Sequence, residues 1–115
     1  MDDCIFCKII AGEIPSTKLF EDETILAFYD ISPQAPVHFL VVPKEHIASA
    51  AEINAGNSLV VARCFEVIAL LAEREGLAAG FRVITNSGAD AGQTVNHLHF
   101  HVLSGVKLGE RMVSL

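Results

Sequence analysis

The sequence predicts an α+β domain, in which an antiparallel sheet of five strands accompanies one long helix and a short N-terminal helix. Two observations lead to this class. Short apolar runs alternate with turn residues, which is typical of strands joined as hairpins. One much longer apolar run, residues 58–75, interrupts the series and has the length of a helix. At 115 residues, the chain is long enough to bury the core of a single domain.

The first half of the chain predicts a short helix and three strands. Residues 4–10 predict the helix, which a glycine and a proline end shortly afterwards. Residues 18–21 and 24–30 predict a hairpin with a tight turn between them. Residues 31–36 contain two prolines, which exclude a helix or a central strand and predict a turn. The strongly apolar residues 38–42 predict the third strand.

The second half predicts the long helix and two further strands. Asn57 or Ser58 can cap the helix at its start, and Gly76 follows its end. Apolar side chains cover more of this helix than one sheet can bury, which predicts contact with another subunit. Residues 45–56 fit either a helix or a loop. Residues 81–86 predict the fourth strand, and residues 94–103 the fifth, with a flexible glycine-containing loop between them.

Three of the five histidines alternate along the last predicted strand, as His97, His99 and His101. Side chains of a strand alternate between its faces, so the three imidazoles share one face. The other face carries apolar residues that can anchor the strand to a core: Leu98, Phe100 and Val102. One histidine on a solvated face is ordinary, but three alternate ones fit that explanation poorly. They predict an active site, with a transition-metal-binding module as the alternative.

Composition narrows the class of protein further. A net charge of −6 argues against binding nucleic-acid polymers, which relies on Lys and Arg. No apolar run is long enough to span a bilayer, and the N-terminus is acidic where a signal peptide is basic. The odd number of cysteines favours reduced thiols or a metal site over disulfides. These features predict a cytoplasmic protein without a membrane partner.

Several separated motifs resemble the histidine triad (HIT) family of nucleotide-binding proteins. The matching stretches are Cys4-Ile5-Phe6, residues 28–36 (FYDISPQAP), residues 38–44 (HFLVVPK), and residues 92–95 (GQTV) before the histidine strand. The resemblance favours the nucleoside phosphoramidase branch and covers the chain up to Gly105. It implies a single HIT domain over residues 1–115 and a homodimer whose sheet runs through both subunits. The tail after Gly105 does not match that branch, so the leaving group of the substrate stays open.

The family resemblance implies a hydrolase that converts a purine nucleoside 5′-phosphoramidate, or an acyl-nucleotide, to the monophosphate through a nucleotidyl-histidine intermediate. Imidazole suits this role because a neutral ring nitrogen is available near pH 7. His99 would attack the α-phosphorus and His101 would contact a phosphoryl oxygen. His38 and His97 complete the implied catalytic set, with a backbone carbonyl near His97 holding one ring nitrogen of the nucleophile. No catalytic metal is implied.

The same resemblance assigns the nucleotide site. Asp30 would accept hydrogen bonds from the ribose hydroxyls, although an aspartate before Ser32-Pro33 can equally serve a turn. An apolar slot would hold the base, formed by Ile5, Phe6, Ile9, Phe28, Ile31 and Leu40. Phosphate or leaving-group contacts would come from Asn86, Gly92, Gln93 and Thr94. Thr94 keeps a hydroxyl where this branch commonly has serine.

Cys4 and Cys7 have the spacing of half a structural zinc site. Some bacterial family members resemble this arrangement, which implies His46 and His97 as the other two ligands. The alternative is two buried cysteines in a short helix. If zinc binds, His97 is a metal ligand rather than a catalytic group.

Two other functions stay open, and a third is disfavoured. The first is a dinucleoside polyphosphate hydrolase, which is another HIT branch. The second is a zinc- or nucleotide-binding module without turnover. The third, a HIT-related transferase, usually carries glutamine at the third triad position, and His101 speaks against it.

Overall fold

The computed structural model describes residues 3–113. Five antiparallel strands form one sheet in the order β1-β2-β3-β5-β4, which confirms the predicted fold class. The elements are α1 (Ile5–Ile10), β1 (Lys18–Glu21), β2 (Ile25–Tyr29), β3 (Val37–Pro43), α2 (Ser58–Arg74), β4 (Arg82–Ile84) and β5 (Phe100–Ser104). Within the described residues, no helix combines the length and the apolar character needed to cross a membrane.

The two helices cover opposite faces of the sheet, because side chains alternate along its strands. On β3, Phe39 and Val41 belong to the core that α2 closes. Leu40 and Val42 belong to a second apolar cluster, together with Phe6 and other residues of the N-terminal segment. The face under α1 is therefore where a cavity can open between a helix and the sheet.

Cross-strand pairing puts three of the predicted site residues in one row of that face. Phe28 on β2 lies opposite Leu40 on β3, and Leu40 lies opposite His101 on β5. Directly opposite residues share a face of the sheet. The register therefore places an apolar floor next to the last histidine of the triad.

The fifth strand is shorter than predicted. The sequence predicts a strand over residues 94–103, whereas β5 covers only Phe100–Ser104. Strand pairing starts only at Phe100. Residues 94–99 precede the strand and form no strand pairing with the sheet. The Leu98 N–H donates to the carbonyl of Ile47, and the carbonyl of His97 is used by a histidine ring. Backbone groups engaged in this way are not available for strand pairing.

The ambiguous segment before α2 forms a loop with a short 3-10 turn, Ala50–Glu52, which the Ser49 side chain caps. Helix α1 also begins one residue later than predicted. Cys4 is its N-cap, and its Sγ accepts the N–H of Cys7. Both differences lie at element ends, where local propensity discriminates least.

Candidate active site

A cavity of about 290 Å³ opens between α1 and the sheet. Its wall is largely apolar, and its lining consists of Ile5, Phe6, Ile9, Pro15, Ser16, Phe28, Tyr29, Asp30, Ile31, Leu40, Thr94, Val95, His99 and His101. The structure thus brings together every residue of the predicted apolar slot. Two imidazoles, one carboxylate and the hydroxyl-bearing residues Ser16, Tyr29 and Thr94 supply polar groups, a composition typical of small-molecule sites.

His99 is held in one defined tautomer. Its Nδ1 lies 2.6 Å from the carbonyl oxygen of His97. A carbonyl only accepts, so Nδ1 carries the proton and Nε2 keeps its lone pair. The ring is only 5% exposed, and Phe6 packs edge-to-face on it with ring centroids 5.0 Å apart. Burial lowers the pKa of His99 below its ordinary value, so the ring is neutral at pH 7.

His38 and His101 form a directional chain of hydrogen bonds. The backbone N–H of Gln34 donates to Nδ1 of His38 at 2.9 Å. In neutral His38 the proton is then on Nε2, which lies 2.9 Å from Nδ1 of His101 and donates to it. The remaining nitrogen of His101, Nε2, consequently carries a proton. Burial is the main reason why the pKa of His101 falls to about 4, with His99 and His38 as further causes.

The two cavity histidines therefore have complementary roles. His99 presents a lone pair, whereas His101 presents an N–H. Their ring centroids lie 5.0 Å apart, so one small group can touch both. A phosphoryl group fits this pair, because its phosphorus is electrophilic and its oxygens are acceptors.

Asp30 has one oxygen in the turn and one towards the site. Oδ1 accepts the N–H of Ser32 at 2.7 Å, which is the turn interaction considered from the sequence. Oδ2 lies 3.5 Å from Nε2 of His38, and the residue lines the cavity. The turn and a ligand contact can thus use different oxygens of the same carboxylate.

The glycine-containing loop contributes less to the cavity than expected. Thr94 lines the cavity, but Asn86, Gly92 and Gln93 do not. The Gln93 amide braces the loop, because Nε2 donates to the carbonyls of Ala48 and Val95 and Oε1 accepts the N–H of Gly88. Four lining residues were not predicted: Pro15, Ser16, Tyr29 and Val95. Of these, Tyr29 and Val95 had a signal, because they belong to the FYDISPQAP and GQTV stretches.

His97 lies outside the cavity lining and is fully buried. Its Nε2 lies 2.8 Å from the carbonyl oxygen of Pro43, so Nε2 carries the proton and Nδ1 is left with a lone pair. That lone pair faces two thiols, since Nδ1 lies 3.4 Å from Sγ of Cys4 and 3.6 Å from Sγ of Cys7. The His97 side chain therefore belongs to a second group of residues.

This group, the cysteine–histidine cluster, consists of Cys4, Cys7, His46 and His97, whose ligand atoms all lie within 4.8 Å of one another. Sγ of Cys7 lies 3.3 Å from Nδ1 of His46. Tetrahedral zinc with its usual bond lengths puts sulfur and nitrogen ligands roughly 3.6 Å apart, which agrees with these separations. The donor set therefore fits structural zinc. Burial first, and then Cys4, raise the pKa of Cys7 to about 11, so metal binding must displace its proton.

Comparison with known proteins identifies the family. Residues 11–108 match the model of the HIT domain family. The chain is 42% identical over 109 residues to a purine nucleoside phosphoramidase of Escherichia coli, covering 94% of this chain and 92% of that protein. An uncharacterized HIT-like protein of Synechococcus elongatus is 45% identical over 107 residues, covering 93% and 94%.

Solved structures show the same architecture. A HIT family hydrolase from Clostridium thermocellum superposes with a TM-score of 0.96 at 48% identity, covering 98% of this chain and 99% of that one. A histidine triad protein from Clostridium difficile gives a TM-score of 0.93 at 50% identity, covering 96% and 97%. Both likenesses extend over nearly the whole chain, including the N-terminal segment that precedes the family match.

Proposed function

The chain belongs to the HIT domain family, and from that premise we propose that it hydrolyses purine nucleoside 5′-phosphoramidates or acyl-nucleotides to the nucleoside monophosphate. The observation that carries the proposal is the tautomer of His99, whose Nδ1–H is bound by the His97 carbonyl. A neutral imidazole with a free Nε2 at the end of an apolar slot is suited to nucleophilic attack on phosphorus. The similarity to the E. coli purine nucleoside phosphoramidase supports this choice of substrate.

The reaction divides into two displacements. Nε2 of His99 attacks the α-phosphorus, and the bond from phosphorus to the leaving group breaks. The leaving group departs with the electron pair and takes up a proton from solvent. In the second step, water attacks the phosphorus, releases a proton to solvent, and displaces His99, which keeps the electron pair of the N–P bond. His101 donates its Nε2–H to a phosphoryl oxygen in both steps, where negative charge develops. These steps require no metal.

A substrate panel tests the proposal. Adenosine and guanosine 5′-phosphoramidates, aminoacyl-adenylates and dinucleoside polyphosphates would be compared by kcat/KM, each with and without a chelator. We expect the phosphoramidates or acyl-nucleotides to be the best substrates. A clear preference for dinucleoside polyphosphates would support that HIT branch instead. Nucleotide binding without turnover of any substrate would favour a binding module.

Asp30 is expected to select ribonucleotides through its Oδ2 atom. Asp30→Ala should remove most of the preference for adenosine monophosphate over its 2′,3′-dideoxy analogue, because the ribose hydroxyls lose their acceptor. Hydrogen bonds to a charged group contribute about 1.5–3 kcal/mol, which corresponds to roughly 10- to 150-fold in affinity. Isothermal titration calorimetry with the two ligands measures this ratio.

Asp30→Asn is the matched control, because it separates ribose binding from the turn. Its amide oxygen can still accept the N–H of Ser32, so the turn should persist and the melting temperature should change little. The amide NH₂ in place of Oδ2 donates rather than accepts, so the ribose preference should still fall. If both variants keep the wild-type preference, Asp30 serves the turn alone.

We also propose that the protein is a homodimer whose sheet continues through β4. Strand β4 is at one edge of the sheet, and its residues are only half-buried. The opposite edge, β1, carries a bulge and the Lys18–Glu21 ion pair, which are features that discourage pairing. A two-fold axis beside β4 would pair the strand with its own copy.

One flank of α2 lies on the same side as β4. Phe65 packs on Phe100 of β5, with ring centroids 5.1 Å apart, yet its side chain is 47% exposed. The other flank points towards β1, because Arg63 pairs with Asp22 and Arg74 donates to the Leu19 carbonyl. Phe65 is therefore an exposed apolar residue of α2 that is placed to meet a partner across the β4 edge.

Phe65→Glu should give a monomer, because a buried unpaired charge at the interface is strongly unfavourable. Leu70→Glu is the control, since Leu70 is exposed to a similar extent, 43%, and lies on the β1 flank. Light scattering at micromolar concentration should find a dimer for the wild type and for Leu70→Glu. A monomeric wild type, or equal dissociation of both variants, would contradict this interface.

A further inference from the structure

The cysteine–histidine cluster and the nucleophile share one peptide group. The carbonyl oxygen of the His97–Leu98 peptide accepts the Nδ1–H of His99 at 2.6 Å. The N–H of the same peptide donates to the carbonyl of Ile47 at 2.6 Å. The plane of this peptide therefore determines where the acceptor for His99 lies.

Two ligands of the cluster belong to, or directly adjoin, the residues that form these two hydrogen bonds. His97 contributes the peptide carbonyl itself, and His46 directly precedes Ile47. Nδ1 of His97 lies 3.4 Å from Sγ of Cys4 and 3.6 Å from Sγ of Cys7, and Nδ1 of His46 lies 3.3 Å from Sγ of Cys7. A group that binds all four ligand atoms would hold both segments, and with them the acceptor of the His99 proton.

The other two ligands hold a wall of the nucleotide cavity. Cys4 caps α1 and Cys7 lies in its first turn, so Phe6 is between two ligands. The Phe6 ring contacts His97 and His99 edge-to-face, with centroids 5.9 Å and 5.0 Å away, and it lines the cavity. The position of α1 thus affects both the base slot and the packing of the nucleophile.

From these contacts we infer that the cysteine–histidine cluster is a positioning device for His99, so that metal and nucleotide each strengthen binding of the other. The inference rests on the proposed function, because it assigns regulation to the same site. The metal takes no part in the chemistry. Its loss should therefore reduce activity through a displaced His99 and a loosened α1, without changing the nucleophile. By linkage, the same coupling must raise metal affinity when nucleotide binds, typically by about 5- to 150-fold.

The first test uses the wild-type protein with Co²⁺ in place of zinc, and adenosine monophosphate as the nucleotide. Thiolate-bound Co²⁺ has absorption bands that respond to ligand geometry, so nucleotide saturation should shift them. Competition with a chromophoric chelator should show metal affinity rising about tenfold when nucleotide is added, within the usual range of such couplings. Unchanged bands together with unchanged metal affinity would overturn the inference.

The second test combines a measurement of the His99 proton, made without nucleotide, with substrate kinetics. In ¹⁵N-labelled wild type loaded with metal, the His99 Nδ1–H should give a slowly exchanging signal in the spectrum of its imidazole nitrogens. Cys7→Ser should speed that exchange at least tenfold and lower kcat more than it changes KM. Cys64→Ala removes a buried thiol from the α2 side of the sheet and should leave both measurements unchanged.

The outcomes separate this inference from the proposed function. A folded Cys7→Ser variant that keeps the protected His99 proton and the wild-type kcat would show that the cluster only adds stability. If Cys7→Ser does not fold, the Co²⁺ measurement on the wild type decides. Failure of every nucleotide substrate, with His99 still dependent on the cluster, would reject the proposed function and leave the positioning role in place.

Discussion

His99→Ala is expected to lower kcat by on the order of 10³- to 10⁶-fold, the range found when a covalent nucleophile is removed. The other cavity histidine, His101, cannot replace it. The Nδ1 atom of His101 accepts from His38, so its free Nε2 carries a proton and cannot attack. The affinity for adenosine monophosphate should fall much less, because the apolar slot and Asp30 remain. Stopped-assay kinetics and calorimetry measure the two quantities separately.

His101→Gln is the companion variant, since an amide keeps a hydrogen-bond donor without the ring. It should lose activity through a less well-oriented donor to the phosphoryl oxygens, by less than the roughly 10²- to 10³-fold that complete removal of one preorganised donor costs. Wild type quenched during turnover should carry the nucleotidyl mass on the peptide that contains His99. An active His99→Ala variant, or an adduct on another residue, would reject His99 as the nucleophile.

Cys7→Ser is expected to produce the largest loss of stability. If zinc is bound only by the folded protein, a free concentration about a hundredfold above the dissociation constant contributes about 2.7 kcal/mol. For a domain of this size, that loss should lower the melting temperature by roughly 10 °C. Calorimetry would compare Cys7→Ser with Cys64→Ala, whose thiol is distant from the cluster.

Metal analysis provides the independent measurement. The wild type, purified without chelator, should contain about one zinc per chain, as expected for a closed four-ligand site. Cys7→Ser should contain much less, while Cys64→Ala should match the wild type. Zinc-free wild type with both Cys4 and Cys7 freely reactive towards a thiol reagent would contradict the zinc site, and the geometry of the cluster would then need another explanation.

The sequence alone predicted the fold class, because period-two and helical patterns of apolar residues report which face each element buries. Through the family resemblance it also predicted six apolar residues for a base slot, and the structure brings all six together around one cavity: Ile5, Phe6, Ile9, Phe28, Ile31 and Leu40. The spaced HIT motifs predicted the family. These features can be recognised from single segments or from residue types at fixed spacings. They do not depend on contacts between distant parts of the chain.

Only the tertiary structure decided what each histidine can do. All five histidines have the same side chain, but the tautomers of His97 and His101 follow from partners that are distant in sequence. His38 and His101 are 63 residues apart, and Cys4 and His97 are 93 residues apart. The alternation of the triad predicted one shared face, yet the His97 ring lies with the thiols, whereas His99 and His101 open into the cavity. The reason is physical: whether an imidazole nitrogen donates or accepts depends on the group that the fold places opposite it.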